Sequence, residues 1–348
     1  MRAFNATVMV LLASTACDSD SSGVDSGAVD TGAVDTGAVD TGAVDSGSGR
    51  ECSGPALPGD SFYPEGIALG PDGSLAVASA GTGRVVVLSA GADEFTELVP
   101  ASEPAIANAI GLRYDETAAL YWVCSTDFSG LFDNGMGTLV GVSPEDGSVV
   151  VTHSLGTGAL CNDIAVSAAH GVFATDSRGS QLWRVPRADV RTGDSAEVWV
   201  ADERFAEGLA GDGLSLNGVA IDEPANAVYT ARIDTGELFR VALEADGSAG
   251  AVDEISLAGG DILSADGMTL EASGTLLVIQ NASGEVDRVR VTGSEGRIES
   301  IATGLDEPAT AVLRGDELLI TETQFSELFG GTLMPTLPFC LARVPLSE

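Results

Sequence analysis

The chain has 348 residues, 44% of them hydrophobic, with 44 glycines, so it can bury a sizeable core and make many tight turns. Lysine is absent, all sixteen basic residues being Arg, and the formal net charge is −36. A field of that sign repels phosphate backbones and excludes nucleic acid as a partner, while it favours solubility and cations.

At the amino terminus Arg2 precedes an apolar stretch, Ala6 to Ala13, that ends in small residues before Cys17. The stretch is too short to span a bilayer, which predicts a cleaved signal peptide over 1–16. Ser14-Thr15-Ala16-Cys17 is similar to a bacterial lipoprotein box, although Ser14 stands where Leu is usual. Acylation of Cys17 is expected, with ordinary signal-peptidase cleavage as the alternative. Residues 17–50 are low-complexity, with Asp25, Asp30, Asp35, Asp40 and Asp45 marking a five-residue period. Small residues and regular like charges cannot bury a core, so this segment reads as a solvated tether with a mean reach of roughly 30–35 Å. The expected product is exported and faces the periplasm or exterior of a bacterium. Its only contact with the membrane would be the lipid.

From residue 62 onward short apolar strands alternate with Gly/Asp/Ser turns, and no helical period is sustained. PEGIALGPDGSLAVAS (64–79) has an apolar strand, an Asp-Gly turn and a second apolar strand. The design returns at 108–124, 162–176, 217–232, 266–280 and 309–322. Several strands per unit at this period predict an all-β, six-bladed propeller over 51–348. The last unit runs out of chain after its third strand, so a strand at Cys52 to Leu57 is expected to complete it and close the ring. Cys52 and Cys340 would then be neighbours and could form a disulfide, plausible in an exported protein. Cys124 and Cys161 fall on one face, as a second bridge or as two buried thiols.

In a propeller the first strand of each blade lines the central channel. Glu65, Asn108, Asn162, Asn217 and Asp266 each open such a strand, at spacings of 43, 54, 55 and 49 residues, and Pro308 or Ala309 takes the sixth place. Three of the seven asparagines thus share one repeat address. Two carboxylates with two or three amide oxygens suit a hard divalent ion, and Ca²⁺ takes about 6–8 oxygen ligands. Zinc is disfavoured because His153 and His170 lie away from the ring. Asn-Asp, Asn-Gly and Asp-Gly are also turn dipeptides, but the chain's ordinary Asp-Gly turns lie between or after strands rather than before them.

PEGIAL, NDIAV, NGVAID and DGMTL resemble the calcium-site motifs of the senescence marker protein/gluconolactonase (regucalcin-like) family of six-bladed propellers. Paraoxonases and diisopropyl fluorophosphatase are more distantly similar. The resemblance covers about residues 60–346. It implies that Glu65, Asn162, Asn217 and Asp266 hold a catalytic Ca²⁺; Asn108 has no firm counterpart in the family and is expected as an outer neighbour. The implied activity is hydrolysis of a lactone or similar ester, with phosphotriesters in the same substrate class. Asp266 would be general base or direct nucleophile, with Glu65 beside it. Sugar lactonases of the family carry Arg two residues before the third-blade Asn, whereas Leu160 stands here.

The ends of the second strands face the same mouth, so Asp176, Arg232, Gln280 and Glu322 are candidates for the substrate wall. Arg232 would grip an anionic group or pair with Asp176 or Glu322. Two long loops, 125–137 and 323–338, carry Phe128, Leu131, Phe132, Met136, Phe325, Leu328, Phe329 and Met334. They form either an entrance for a lipophilic small molecule or packing across the top. The competing functional reading is a non-catalytic binding propeller with a structural calcium. A strictosidine-synthase-like propeller without the metal is a third. A monomer is expected.

Overall fold

The computed structural model describes residues 50–130, 136–193, 196–209, 213–330 and 334–346. The expected signal peptide, Cys17 and nearly all of the tether lie outside the described residues, as do Leu131 and Phe132. Among the described residues no helix is long and apolar enough to cross a membrane.

The chain folds as successive antiparallel meanders. The first holds β1 (Pro64–Leu69), β2 (Leu75–Ser79), β3 (Val85–Leu88) and β4 (Thr96–Val99). The second holds β5 (Ala109–Asp115), β6 (Leu120–Ser125), β7 (Met136–Val142) and β8 (Val149–Thr157). The third holds β9 (Cys161–Ser167), β10 (Gly171–Asp176), β11 (Gln181–Pro186) and β12 (Glu197–Ala201). The fourth, β13 (Leu216–Asp222), β14 (Ala227–Arg232), β15 (Leu238–Leu243) and β16 (Ala249–Ala258), continues into a fifth. That fifth is β17 (Ala265–Leu270), β18 (Leu276–Gln280), β19 (Glu285–Thr292) and β20 (Glu295–Ala302). Their outermost strands, β16 and β20, pair in parallel at Ser256–Ala258 and Glu295–Arg297, merging the two into one eight-stranded sheet. The last sheet has three strands, β21 (Pro308–Arg314), β22 (Glu317–Glu322) and β23 (Leu341–Pro345). A short helix, α1 (Phe325–Gly330), follows β22.

The arrangement is all-β and propeller-like because the packing is cyclic. β1 packs on β5, β5 on β9, β9 on β13, β13 on β17, β17 on β21, and β21 returns to β1. A separate apolar core fills each gap between consecutive meanders. Tyr121 and Val123 meet Ala76 and Ala78, for example, and Leu319 and Phe339 meet Ile67 and Val77. Strands buried on both faces explain why their sequences run apolar without strict alternation.

The segment 52–57 does not form the expected closing strand. It is irregular, and holds the last sheet through Arg50 N–H to Leu337 O (3.1 Å), Leu57 N–H to Phe339 O (2.9 Å) and the Cys52–Cys340 disulfide. Pro55 and Pro58 have no N–H to donate to a ladder, so this stretch cannot pair along its length. Cys124 and Cys161 also pair, tying the end of β6 to the start of β9. His153 lies in β8, an outermost strand, buried against the Trp122 ring.

Candidate metal centre

Each first strand carries a β-bulge at the same point of its pairing with the second strand. The pairs Pro64↔Ser79, Ala109↔Ser125, Cys161↔Asp176, Leu216↔Arg232, Ala265↔Gln280 and Pro308↔Glu322 precede the bulge. Regular pairing resumes three residues on, at Ile67, Leu112, Ile164, Val219, Met268 and Ala311. The extra residue re-aims the two side chains between, which is what bulges commonly do near functional sites.

The first bulge position reads Glu65, Ile110, Asn162, Asn217, Asp266 and Ala309. Asn108 therefore does not share the address of the other asparagines. It precedes β5, and the equivalent place is taken by Ile110. Its amide donates to Ala80 O (2.6 Å) and accepts from Phe128 N–H (3.1 Å), so both ends are used in joining loops. The second bulge position reads Gly66, Gly111, Asp163, Gly218, Gly267 and Thr310. Glycine stands at four of the six because the next first strand lies so close to them. A Cβ on Gly66 would sit 2.3 Å from Ile110 O, and one on Gly111 would sit 2.2 Å from Asn162 O. Aligning the repeats on these glycines, rather than on the asparagines, gives the register that the structure has.

Glu65, Asn162, Asn217 and Asp266 are all at least nine-tenths buried, with exposures of 3, 7, 3 and 3%. Glu65 Oε2, Asn162 Oδ1 and Asn217 Oδ1 have no hydrogen-bond partner. All three are acceptors, and a buried acceptor left unpaired costs about 1–3 kcal/mol, more if charged. The Asn217 side chain, near the Asp266 carboxylate, opposes the upward shift of that group. Burial, followed by repulsion from Asp266 and then Asp163, pushes the Glu65 carboxyl well above its ordinary range. Burial and then Asp163 do the same to Asp266.

Asp163, a residue missed in the sequence, stands in the glycine column and turns its carboxylate to backbone. Its Oδ1 accepts from Ile164 N–H (2.8 Å) and its Oδ2 from Val219 N–H (3.0 Å). Arg113 of β5 approaches the same carboxylate at 3.6 Å. Among the described residues no three His, Cys, Asp or Glu side chains gather as a metal-holding group. The donor set here is instead two carboxylates and two amide oxygens, the hard-oxygen chemistry that suits calcium.

The four candidates for the substrate wall all have internal partners. Asp176 accepts from the N–H groups of Leu160 (2.9 Å), Gly179 (2.7 Å) and Arg178 (3.2 Å), and from Trp183 Nε1 (3.2 Å). Arg232, 2% exposed, pairs with neither Asp176 nor Glu322. It binds Asp234 at 2.6 Å and donates to Arg204 O (3.1 Å) and Glu207 O (2.8 Å). Gln280 donates to Asp287 Oδ2 (2.5 Å), and Glu322 binds Arg50 and accepts from Asp306 N–H (2.9 Å). Strand ends need partners for their turns, and buried polar groups satisfy them.

In the two loops, Phe128 meets Phe329 edge-on at 5.1 Å, and Phe325 stacks on Phe329 at 5.8 Å. Phe128, Phe325 and Leu328 lean on the core around Phe339. Met136 (51% exposed) and Met334 (85%) stand in solvent.

No protein-family model matches the sequence, and no curated protein matches it. Solved structures do share the fold. A gluconolactonase, XC5397 from Xanthomonas campestris, aligns with a TM-score of 0.57 at 15% identity, covering 86% of this chain and 97% of that one. A calcium-binding protein, regucalcin, from Agrobacterium tumefaciens aligns at 0.53 and 15% identity, covering 78% and 85%. Virginiamycin B lyase from Staphylococcus aureus, solved with quinupristin, aligns at 0.57 and 13% identity, covering 85% and 89%. At such identities the likeness establishes the propeller-like fold, on which a lactonase and a lyase both occur, and it does not select a chemistry.

Proposed function

We propose that the chain is a calcium-dependent hydrolase of lactone or ester type, built as a six-bladed propeller with the metal on its axis. One observation carries the reading: three buried acceptor oxygens, on Glu65, Asn162 and Asn217, have no donor and belong to one bulge position of the ring. A cation is the partner that would satisfy all of them. Glu65, Asn162, Asn217 and Asp266 would hold it. When bound, calcium supplies the Lewis acid that polarises an acyl carbonyl and balances the developing oxyanion. Likeness to a gluconolactonase and to a calcium-binding regucalcin supports the same reading.

The chain's own part in the chemistry falls to Asp266. Its carboxylate takes the proton of an attacking water and returns it to the leaving alkoxide. In the covalent alternative it attacks the acyl carbon itself and expels the alkoxide, and water then opens the mixed anhydride at the Asp266 carboxyl carbon. In isotopically labelled water a single turnover puts label into Asp266 only on the covalent route. Leu160 in place of a gripping Arg, together with the apolar loops, supports a lipophilic substrate rather than a sugar lactone. In this proposal the propeller works outside the cytoplasm, tethered through Cys17, and its two disulfides support export.

The test is a panel of lactones, aryl esters and phosphotriesters assayed on residues 51–348 with calcium or EDTA, alongside Asp266→Ala. Turnover that needs both calcium and Asp266 is expected. Calcium-dependent melting with no Asp266-dependent turnover would leave a binding propeller with a structural ion. No response to calcium would remove the metal centre altogether.

A further inference from the structure

Three carboxylates of the channel, on Glu65, Asp163 and Asp266, repel one another, and one guanidinium lies among them. Arg113 reaches from β5 across the axis. Its Nη1 donates to Leu112 O (3.1 Å) and Ile67 O (3.3 Å), and its Nη2 donates to Met268 O (3.1 Å) and faces Asp163 Oδ1. Asp163 in turn accepts from the N–H groups of Ile164 and Val219. Ile67, Leu112, Ile164, Val219 and Met268 are the residues at which pairing resumes after each bulge. The pair thus ties β1, β5, β9, β13 and β17 together one layer from the candidate ligands. Both members are mostly buried, with side-chain exposures of 18 and 5%.

We propose that Arg113 is a positioning residue of the candidate metal centre: an internal counter-charge that cancels Asp163 and leaves the ring a net charge of two minus, matched to one divalent cation. This rests on the calcium reading above. The charges are those of Glu65, Asp163 and Asp266 against that of Arg113. The fork geometry also explains why Arg is used, since an ammonium cannot reach three carbonyls and a carboxylate from one fixed plane.

The experiment is a charge cycle read as the calcium dissociation constant by titration calorimetry with calcium chloride, without any assay of turnover. Asp163→Asn leaves the ring one negative charge short, and its calcium affinity should fall tenfold or more. Arg113→Met leaves one in excess and should tighten binding. The double variant restores the balance and should return near the wild-type constant, as should Arg113→Lys. A pair that served only as a mechanical brace would weaken binding in both single variants, with no recovery in the double, and that result overturns the proposal. So does a constant unchanged throughout. Should Arg113→Met give no soluble protein, Arg113→Lys and Asp163→Asn decide together: the counter-charge role requires a near wild-type constant in the first and the tenfold loss in the second, whereas a brace that needs the fork weakens both. If wild-type protein binds no calcium, the failure lies with the metal reading itself.

Discussion

Two sets of polar side chains lie at the same end of the strands, one on the first strand of each meander and one at the end of the second. Asp176, Arg232, Gln280 and Glu322 sit directly across the ladder from Cys161, Leu216, Ala265 and Pro308, the residues just before Asn162, Asn217, Asp266 and Ala309. Both sets are buried to a similar degree. They differ in satisfaction. The second-strand set has a hydrogen-bond partner at every residue, whereas the first-strand set leaves three acceptors orphaned. Burial and polarity alone do not identify a site. Unpaired buried acceptors at a repeated address are what the metal proposal rests on, because burial without a partner is costly.

The largest effect expected from breaking this contrast is in Asp266→Asn and Glu65→Gln. Each removes a charge that burial and its neighbours already disfavour. Calcium-dependent kcat/KM should fall by ~10³ or more, about 4 kcal/mol of barrier. The metal-free protein should melt higher, not lower. Arg232→Met should do the reverse. It removes the partner of the part-exposed Asp234 and of the carbonyls of Arg204 and Glu207, at a cost of about 1–3 kcal/mol, readable by denaturant unfolding. Activity per folded molecule should survive. A large kcat loss in stable Arg232→Met protein would return that residue to the substrate wall.

The disulfides sharpen the comparison further. Cys124–Cys161 ends beside Asn162, whereas Cys52–Cys340, whose cysteines are 288 residues apart, closes the ring and adjoins no candidate ligand in sequence. Each should contribute about 2–4 kcal/mol to stability. Replacing Cys124 and Cys161 by Ala should in addition weaken calcium binding, by freeing the backbone next to Asn162. Replacing Cys52 and Cys340 should cost stability alone, measured by melting and calorimetry on the same samples.

The strands, the repeat and the neighbour relations of the cysteines are legible in the sequence because apolar runs and turn residues recur in phase. Two things are not. The closing strand fails at Pro55 and Pro58, whose missing N–H groups outweigh the exposed edge that invited a partner. The site register fails at Asn108, because a bulge adds a residue that no hydrophobic pattern records. Gly66, Gly111, Gly218 and Gly267 did mark it, through close approach of the next strand. Asp163 broke that glycine column in plain view, but an Asn-Asp dipeptide looks like turn chemistry. Arg113 carried no signal at all, since a lone Arg in a strand is ordinary until its partners across the axis are known.

The asparagines isolate the principle with the chemistry held constant. Asn108 and Asn217 are the same side chain near the same mouth, one doubly bonded and one with its oxygen unpaired. Asn108→Ala should lose about 1–2 kcal/mol of stability, since Ala80 O and Phe128 N–H lose their partner, and calcium binding should not change. Asn217→Ala should lose little stability, because the atom removed was itself unsatisfied, and calcium affinity should drop sharply. Equal stability losses for the two variants, with calcium binding intact in both, would mean that the orphaned oxygen of Asn217 has a protein or water partner and that satisfaction does not separate the two sets.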